Sequence, residues 1–449
     1  MKSYVPHTEN ERREMLESIG VKSIDELFSD VPASLLLKRR LNIGEGMSEV
    51  EIRKAFLELV NKNRTDLKVF RGAGAYNHYI PSLVLELSAR SELYTAYTPY
   101  QAEMSQGMLQ AIFEYQTFIC RLTGLDVSNA SVYDGATAAA EAMVMMLNAT
   151  RKKKLLLSAG LHPEVIETVK TYAHSIGVEI VVVPLNEKGM TDIAQLKANA
   201  EGFAGLIAQN PNFFGVIEDM KALADCAHEL GGLFTAYVNP IALGMLKRPA
   251  DYGADIAIGD GQPLGVPMSF GGPYFGFMAC TNKLIRNLPG RIAGQTEDAE
   301  GNRAFVLTLQ AREQHIRRDK ASSNICSNQM LCAIMASIYM AVMGKHGIKE
   351  VAEQCLQKAH YLADGLTQIK GFKLRYASPF FHEFVTDCEY DAEKLNDALK
   401  AKGFMGGLPL GRVIKGEHGM LWCVTEMNSR QDIDDLICAV ESIVKEGLA

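Results

Sequence analysis

The sequence predicts an α/β fold. It has a large domain over 71–345, a smaller C-terminal α+β domain over 346–449 and a helical N-terminal arm over 1–70. Three observations predict this. From residue 101 onward, short apolar runs alternate with helical stretches. The runs at 155–157 (LLL), 179–183 (EIVVV) and 205–208 (GLIA) are apolar almost throughout rather than on alternate residues, as in a mostly parallel sheet covered on both faces. After Gly344 the crossovers give way to helix, strand, helix, glycine-rich turn, strand and helix, the order of a compact α+β unit.

In the arm, Thr8 with Glu11, Ser23 with Glu26 and Ser48 with Glu51 have the spacing of capping boxes, and Gly20 is placed to close the first helix. The glycine-punctuated stretch VFRGAGAYNHYIP follows. Apolar residues at 104, 108, 109, 112, 113, 118, 119 and 122 predict a helix over 101–122. Strands are expected at 155–157, 179–183, 203–208, 233–238, 254–258 and 274–280, with helices near 135–149, 163–176, 191–200 and 218–231. A long apolar helix is expected over 324–344, its methionines filling gaps in a core or interface. Beyond it the pattern predicts a helix at 347–367, a strand at 380–386, a helix at 391–402, a strand at 420–425 and a helix at 429–445.

Composition narrows the function classes. At 449 residues and 47% hydrophobic, the chain is long enough for a well-buried core. A net charge of −7 disfavours nucleic acid and anionic membrane as partners. The basic run Arg151–Lys154 reads as a solvated helix end. Nine scattered cysteines show no paired ligand spacing, so no metal is expected and the thiols suit a reducing cytoplasm. The polar N-terminus does not read as a secretory signal, and no run approaches the roughly 18 apolar residues of a membrane span.

Several segments could carry chemistry. The turn Tyr133-Asp134-Gly135-Ala136-Thr137 opens a helix of small residues, where backbone N–H groups could cradle a phosphate or Asp134 could simply cap the helix. His315–Asn324 is dense in anion-binding groups, with Ser322, Ser323 and Asn324 read either as a helix cap or as an anion contact. Tyr94–Gln101 packs three tyrosines and two threonines into eight residues, which suits an interface or substrate wall as well as a core-covering helix entry. Between Lys247 and Lys283 there is no lysine. That stretch has the shape of the strand end that bears the cofactor-bonding lysine in pyridoxal-phosphate enzymes of the aspartate aminotransferase fold (fold type I). Here Gln262 and Pro263 occupy the slot, and neither has an amine to bond an aldehyde. The strand LFTAYVNPIALG offers Thr235, Tyr237 and Asn239 where that fold places a carboxylate against the pyridine nitrogen.

The blocks YTAYTPYQAEMSQGMLQAIFEYQTFICRLTGLDVSNASVYDGATAAAEA, FRGAGAYNHYIP, GADIAIGDGQPLGVPMSFGGPYFGFMA and REQHIRRDKASSNICSNQ closely resemble the N-terminal half of the glycine cleavage system P-protein, glycine dehydrogenase (decarboxylating), and the likeness runs over essentially the whole chain. The length and the missing lysine resemble the split form of that family, in which a second chain carries the lysine.

The resemblance implies an oxidoreductase of glycine catabolism, inactive alone and paired as an α2β2 heterotetramer. In that family, pyridoxal phosphate on the lysine-bearing subunit decarboxylates glycine, and the aminomethyl group passes to the lipoyl arm of H-protein. It further implies that Ser322, Ser323 and Asn324 reach the partner's cofactor phosphate and that Tyr97, Thr98, Tyr100 and Gln101 line the substrate side. Where relatives often carry threonine, this chain has Ser322 and Ser327, so the hydroxyl at 322 survives. The rival readings are a purely structural or regulatory subunit, and a self-sufficient enzyme using Lys247 or Lys283.

Overall fold

The structure, a computed structural model, describes residues 6–96 and 99–447. It divides into two compact units, Met1–Thr65 and Asp66–Ala449. In the first, the helices Glu9–Ile19 and Glu49–Val60 start on capping boxes at Thr8 and Ser48, and Gly20 ends the first helix at φ 87°. The box expected at Ser23 does not form. A short 3-10 turn, Ile24–Phe28, begins there without a side-chain cap, and Glu26 bonds the Lys22 N–H instead. Neither helix buries a residue.

In the second unit, Lys68–Val69 pairs in parallel with Phe404–Met405, so residues 66–70 belong with the main body rather than with the arm. The main sheet has seven strands in the spatial order Val127–Ser128, Gly276–Cys280, Ile256–Asp260, Leu233–Val238, Gly205–Asn210, Lys154–Ser158 and Glu179–Val183. The last five pair in parallel and Gly276–Cys280 alone runs against them. Leu156, Leu206, Phe234 and Ala257 point to one buried cluster, while Leu155, Leu157, Ile207 and Ile258 point to another. Both faces are therefore covered, which is why the strands read as unbroken apolar runs.

Parallel strands carry the chain to the same edge each time, so the turns after Asp260, Val238 and Asn210 gather there. The turn at Asp134 joins them, because Gly276 pairs with Val132 and leads the chain back beside it. This edge holds the cleft described below.

Two helices start later than the sequence pattern suggested. The helix expected from 101 spans Gln106–Thr123, preceded by a turn in which the Met104 and Ser105 N–H groups bond the Gln101 carbonyl. The helix expected from 324 starts at Met330, because Asn328 and the Gln329 N–H bond across to residues 130–131. It runs to Thr367 and breaks at Gly344, whose backbone (φ 57°, ψ −173°) is non-helical. Its length and composition would allow a membrane crossing, but Ala336, Tyr339, Ala352 and Leu362 are buried in the protein core.

A hairpin of Ala293–Glu297 with Arg303–Leu307 was missed, although the polar turn between them, closed by Gly301 at φ 82°, was a signal for it. In the C-terminal part, Phe372–Leu374, Glu383–Cys388, Met420–Cys423 and Leu408–Pro409 form an antiparallel sheet in that order. The helices Ala392–Ala401 and Arg430–Lys445 accompany it, and the fully buried Trp422 bonds Thr386 in its core.

Candidate functional site: a closed strand-end cleft and an outer loop cluster

Gln262 lies just past the strand Ile256–Asp260 and is 2% exposed. Its amide oxygen accepts the Tyr76 N–H at 2.9 Å, and its amide nitrogen donates to the carbonyls of Tyr76 and Val266, both at 2.9 Å. An ammonium has no acceptor and could not make this exchange. The amide therefore stitches the glycine-rich stretch 71–81 onto the sheet edge.

Asp134 caps the helix Gly135–Thr150, bonding the Thr137 N–H at 2.7 Å. Asp260 reaches the same helix end and accepts from the Gly135 N–H at 3.1 Å and the Gln262 N–H at 2.9 Å. Tyr237 stands so close that a Cβ on Gly135 would collide with its hydroxyl and with the Asp260 backbone. Burial, with Asp134 adding to it, pushes the Asp260 carboxyl up to about 6. Burial, then Asp260 and Asp134, drives the Tyr237 phenol well above its ordinary range.

Deeper in the cleft, Glu383 accepts the Ala73 N–H at 2.6 Å and the Tyr76 hydroxyl at 2.8 Å, and burial raises its carboxyl to about 7. His162 caps the next helix through Nδ1 and donates from Nε2 to the Ala73 carbonyl at 3.0 Å, which fits the neutral ring that its burial favours. His382 is buried, and neither of its ring nitrogens has a partner. The inner cavity these groups share is about 40 Å³. That is room for a few waters, each needing roughly 10–15 Å³. Outside it lies a wider groove of about 360 Å³, lined by Asp134, Glu164 and Asp260 with no lysine or arginine among the described residues.

The second group of candidate residues sits on loops. Tyr97 and Thr98 lie outside the described residues. Tyr100 is half-buried, its hydroxyl bonded to Asn328 and its ring covered by the Arg291 guanidinium at 4.8 Å. Gln101 is exposed. Ser322 and Asn324 are exposed, whereas Ser323 bonds Glu141 at 2.9 Å and accepts the Ile325 N–H. These residues cap no helix, since the next one starts at Met330. Burial raises the Glu141 carboxyl to about 7 against the pull of the Ser323 bond. His315–Lys320 forms a short helical turn and a 3-10 turn, largely exposed. Lys247 and Lys283 are exposed and line neither the cavity nor the groove.

Sequence reasoning did not pick out Arg291, Glu141, Glu383 or His382, which carry no local motif and meet these segments only through the fold. It also missed that His78, Cys355 and Glu426 converge within 4.8 Å of one another. Hydrogen bonds join them, His78 to Glu426 at 2.8 Å and Cys355 to Glu426 at 3.3 Å, and tie the 71–81 stretch to the C-terminal part.

A mostly parallel seven-stranded sheet with a cleft at its strand ends, beside the start of a small-residue helix, defines the class of fold type I pyridoxal-phosphate-dependent enzymes. The chain superposes on sphingosine-1-phosphate lyase from Burkholderia pseudomallei (TM-score 0.68, 12% identity, 92% of this chain and 94% of that one) and on cysteine desulfurase from Thermococcus onnurineus (0.63, 14%, 90% and 100%), a likeness of fold. A crystal structure of glycine decarboxylase (P-protein) of the glycine cleavage system, in inhibitor-bound form, matches far better, with TM-score 0.90 and 42% identity over 98% of this chain and 100% of that one.

The family model of the glycine cleavage system P-protein matches residues 2–440, and the chain belongs to that family. It is similar to the probable glycine dehydrogenase (decarboxylating) subunit 1 of Moorella thermoacetica, at 52% identity over 98% of this chain and 100% of that one. It is likewise similar to that of Desulforamulus reducens, at 50% over 98% and 99%.

The cofactor of the fold class does not fit this chain's own cleft. The Gly135 and Thr137 N–H groups at the helix end already bond Asp260 and Asp134, Tyr237 crowds the turn, and the charged lining is acidic. Gln262, just past the strand end, is a buried amide with three hydrogen bonds and no amine.

Proposed function

We propose that this chain is the lysine-lacking subunit of a two-chain glycine decarboxylase. With a lysine-bearing partner it decarboxylates glycine and passes the aminomethyl group to the lipoyl arm of H-protein, in a cytoplasmic α2β2 assembly. The partner carries the pyridoxal phosphate, and this chain carries none. One observation carries the reading: Gln262, an amide and not an amine, lies just past the strand end and is held there by Tyr76 and Val266. The named relatives support the pairing, being called subunit 1 at full length. So does the arm, whose Phe28, Leu35, Ile43, Val50 and Phe56 are exposed and need a covering surface. Free cysteines, five of them buried, suit a reducing compartment.

In this reading Ser322, Ser323 and Asn324 reach the partner's cofactor phosphate, and Tyr97, Thr98, Tyr100 and Gln101 form the substrate-side wall. Co-expression with the partner chain, borohydride reduction and peptide mapping test it. The pyridoxyl group is expected on the partner alone, and glycine–bicarbonate exchange only when both chains are present. A pyridoxyl group on this chain prepared by itself overturns the reading.

A second reading, a purely structural or regulatory subunit, is favoured by the way the Ser323 and Tyr100 hydroxyls are engaged within this chain. Ser323→Ala and Tyr97→Phe in the assembled enzyme separate the two. Unchanged exchange in both supports the structural role.

A further inference from the structure

We infer that Arg291, acting with Asn328, is a positioning residue that clasps the tyrosine-rich loop to the loop after Ser322–Asn324, so that both reach the partner's active site as one body. The inference rests on the proposed function for where those loops point. It adds which residues set their geometry.

The Arg291 side chain is 13% exposed, and its guanidinium joins Tyr100, Glu313 and Cys326. Nη1 pairs with the Glu313 carboxylate, whose side chain is 6% exposed. Nη2 donates to the Cys326 carbonyl at 3.1 Å. Its plane covers the Tyr100 ring at 4.8 Å. Asn328, buried, fastens the same two loops from the other side. Its oxygen accepts the Tyr100 hydroxyl, and its nitrogen donates to the Ala130 carbonyl at 3.0 Å and to Ser131 Oγ at 2.9 Å. The Arg291 carbonyl accepts the Ala130 N–H at 2.8 Å, which closes the circuit.

A planar fork of donors with a stacking face can hold a carboxylate, a carbonyl and an aromatic ring together, and a lysine cannot. A buried ion pair is also a poor way to gain stability, because desolvation offsets most of its attraction. Its value here is orientation. Without it, the two loops would stay linked through the Tyr100–Asn328 bond, but the Cys326 carbonyl would lose its tie to Arg291 and the loops their common angle. Both loops border residues assigned to the partner's site. Loss of alignment of about 1 Å at such a site can cost on the order of 100-fold in rate.

The test uses the assembled two-chain enzyme. Arg291→Met is expected to leave co-purification and the circular dichroism of this chain unchanged. It should raise KM for glycine and lower kcat for exchange, together about 10- to 100-fold in kcat/KM, and alter the absorbance spectrum of the partner's cofactor. Arg291→Lys, which keeps the charge and one bond, should recover only part of that loss. Should the methionine variant fail to fold, the lysine variant and Asn328→Ser give the same readouts. Wild-type kinetics and spectrum in the Arg291 variants, with Ser323→Ala or Tyr97→Phe impaired, overturn the clasp while leaving the proposed function standing. If Ser323→Ala and Tyr97→Phe are silent as well, the proposed function falls and the clasp with it.

Discussion

The strand-end cleft and the loop cluster around Arg291 use similar groups to opposite ends. In the cleft, Asp134 and Asp260 point inward at a helix N-terminus and accept the Thr137 and Gly135 N–H groups there. At the loop cluster, Glu313 and Asn328 hold Arg291 and Tyr100 in place, while Ser322, Asn324 and Gln101 beside them stay exposed. One region has been closed by its own side chains and the other has been braced. On the proposed reading, the absent lysine is accompanied by carboxylates at the helix end that disfavour an anionic cofactor.

The largest expected effect tests that claim directly. Gln262→Lys restores an amine at the slot, removes three buried hydrogen bonds and buries a charge among them. Destabilisation of about 3 kcal/mol or more is expected, read by denaturant unfolding, with no cofactor absorbance when pyridoxal phosphate is added. Cofactor uptake by this single variant would show that the cleft is open after all.

Next comes pH. The Glu383 carboxyl sits at about 7 in the fold against an ordinary 4.5, so between these values the unfolded chain ionises first. The stabilising protonated form is fully present below pH 4.5, and its contribution is lost as pH rises to 7. The loss amounts to about 3 kcal/mol at 1.36 kcal/mol per unit. In Glu383→Gln the unfolding free energy should fall less over that window, and parallel curves for both proteins would refute the assignment.

Gly135→Ala is expected to cost about 2 kcal/mol through collision with Tyr237 and Asp260. The cost should shrink in a Tyr237→Phe background. An equal cost in both backgrounds would mean the phenol does not crowd the turn.

The smallest effect concerns Phe270, 98% exposed and held at φ 57° on the loop leading to the outer groove. Phe270→Gly should stabilise the isolated chain by about 1 kcal/mol, because glycine enters that region without steric cost. If the loop meets the partner, the same change should weaken co-purification.

Most of the fold was legible because burial writes itself into local pattern. The doubly covered strands appear as unbroken apolar runs, and the helix Pro163–Ile176 follows from its 3.6-residue period and N-terminal proline. Two of the errors fell where other polar contacts, one set long-range and one local, override the expected helix or cap. Residues 324–329 read as helix, but Asn328 and Gln329 bond Ser131 and Ala130 instead. Ser23 and Glu26 have box spacing, yet Glu26 takes the Lys22 N–H.

By itself the sequence determined that no amine stands between Lys247 and Lys283, and that the sheet is covered on both faces. Residue identity and apolar periodicity are local properties. Only the tertiary structure decided that Asp260 would cap the helix at Gly135, that Gln262 would clamp Tyr76, and that Arg291 would meet Tyr100, Glu313 and Cys326 together. These partners lie from 22 to 191 residues apart along the chain, and hydrogen bonds select neighbours by distance and angle in space, which no spacing in the sequence encodes.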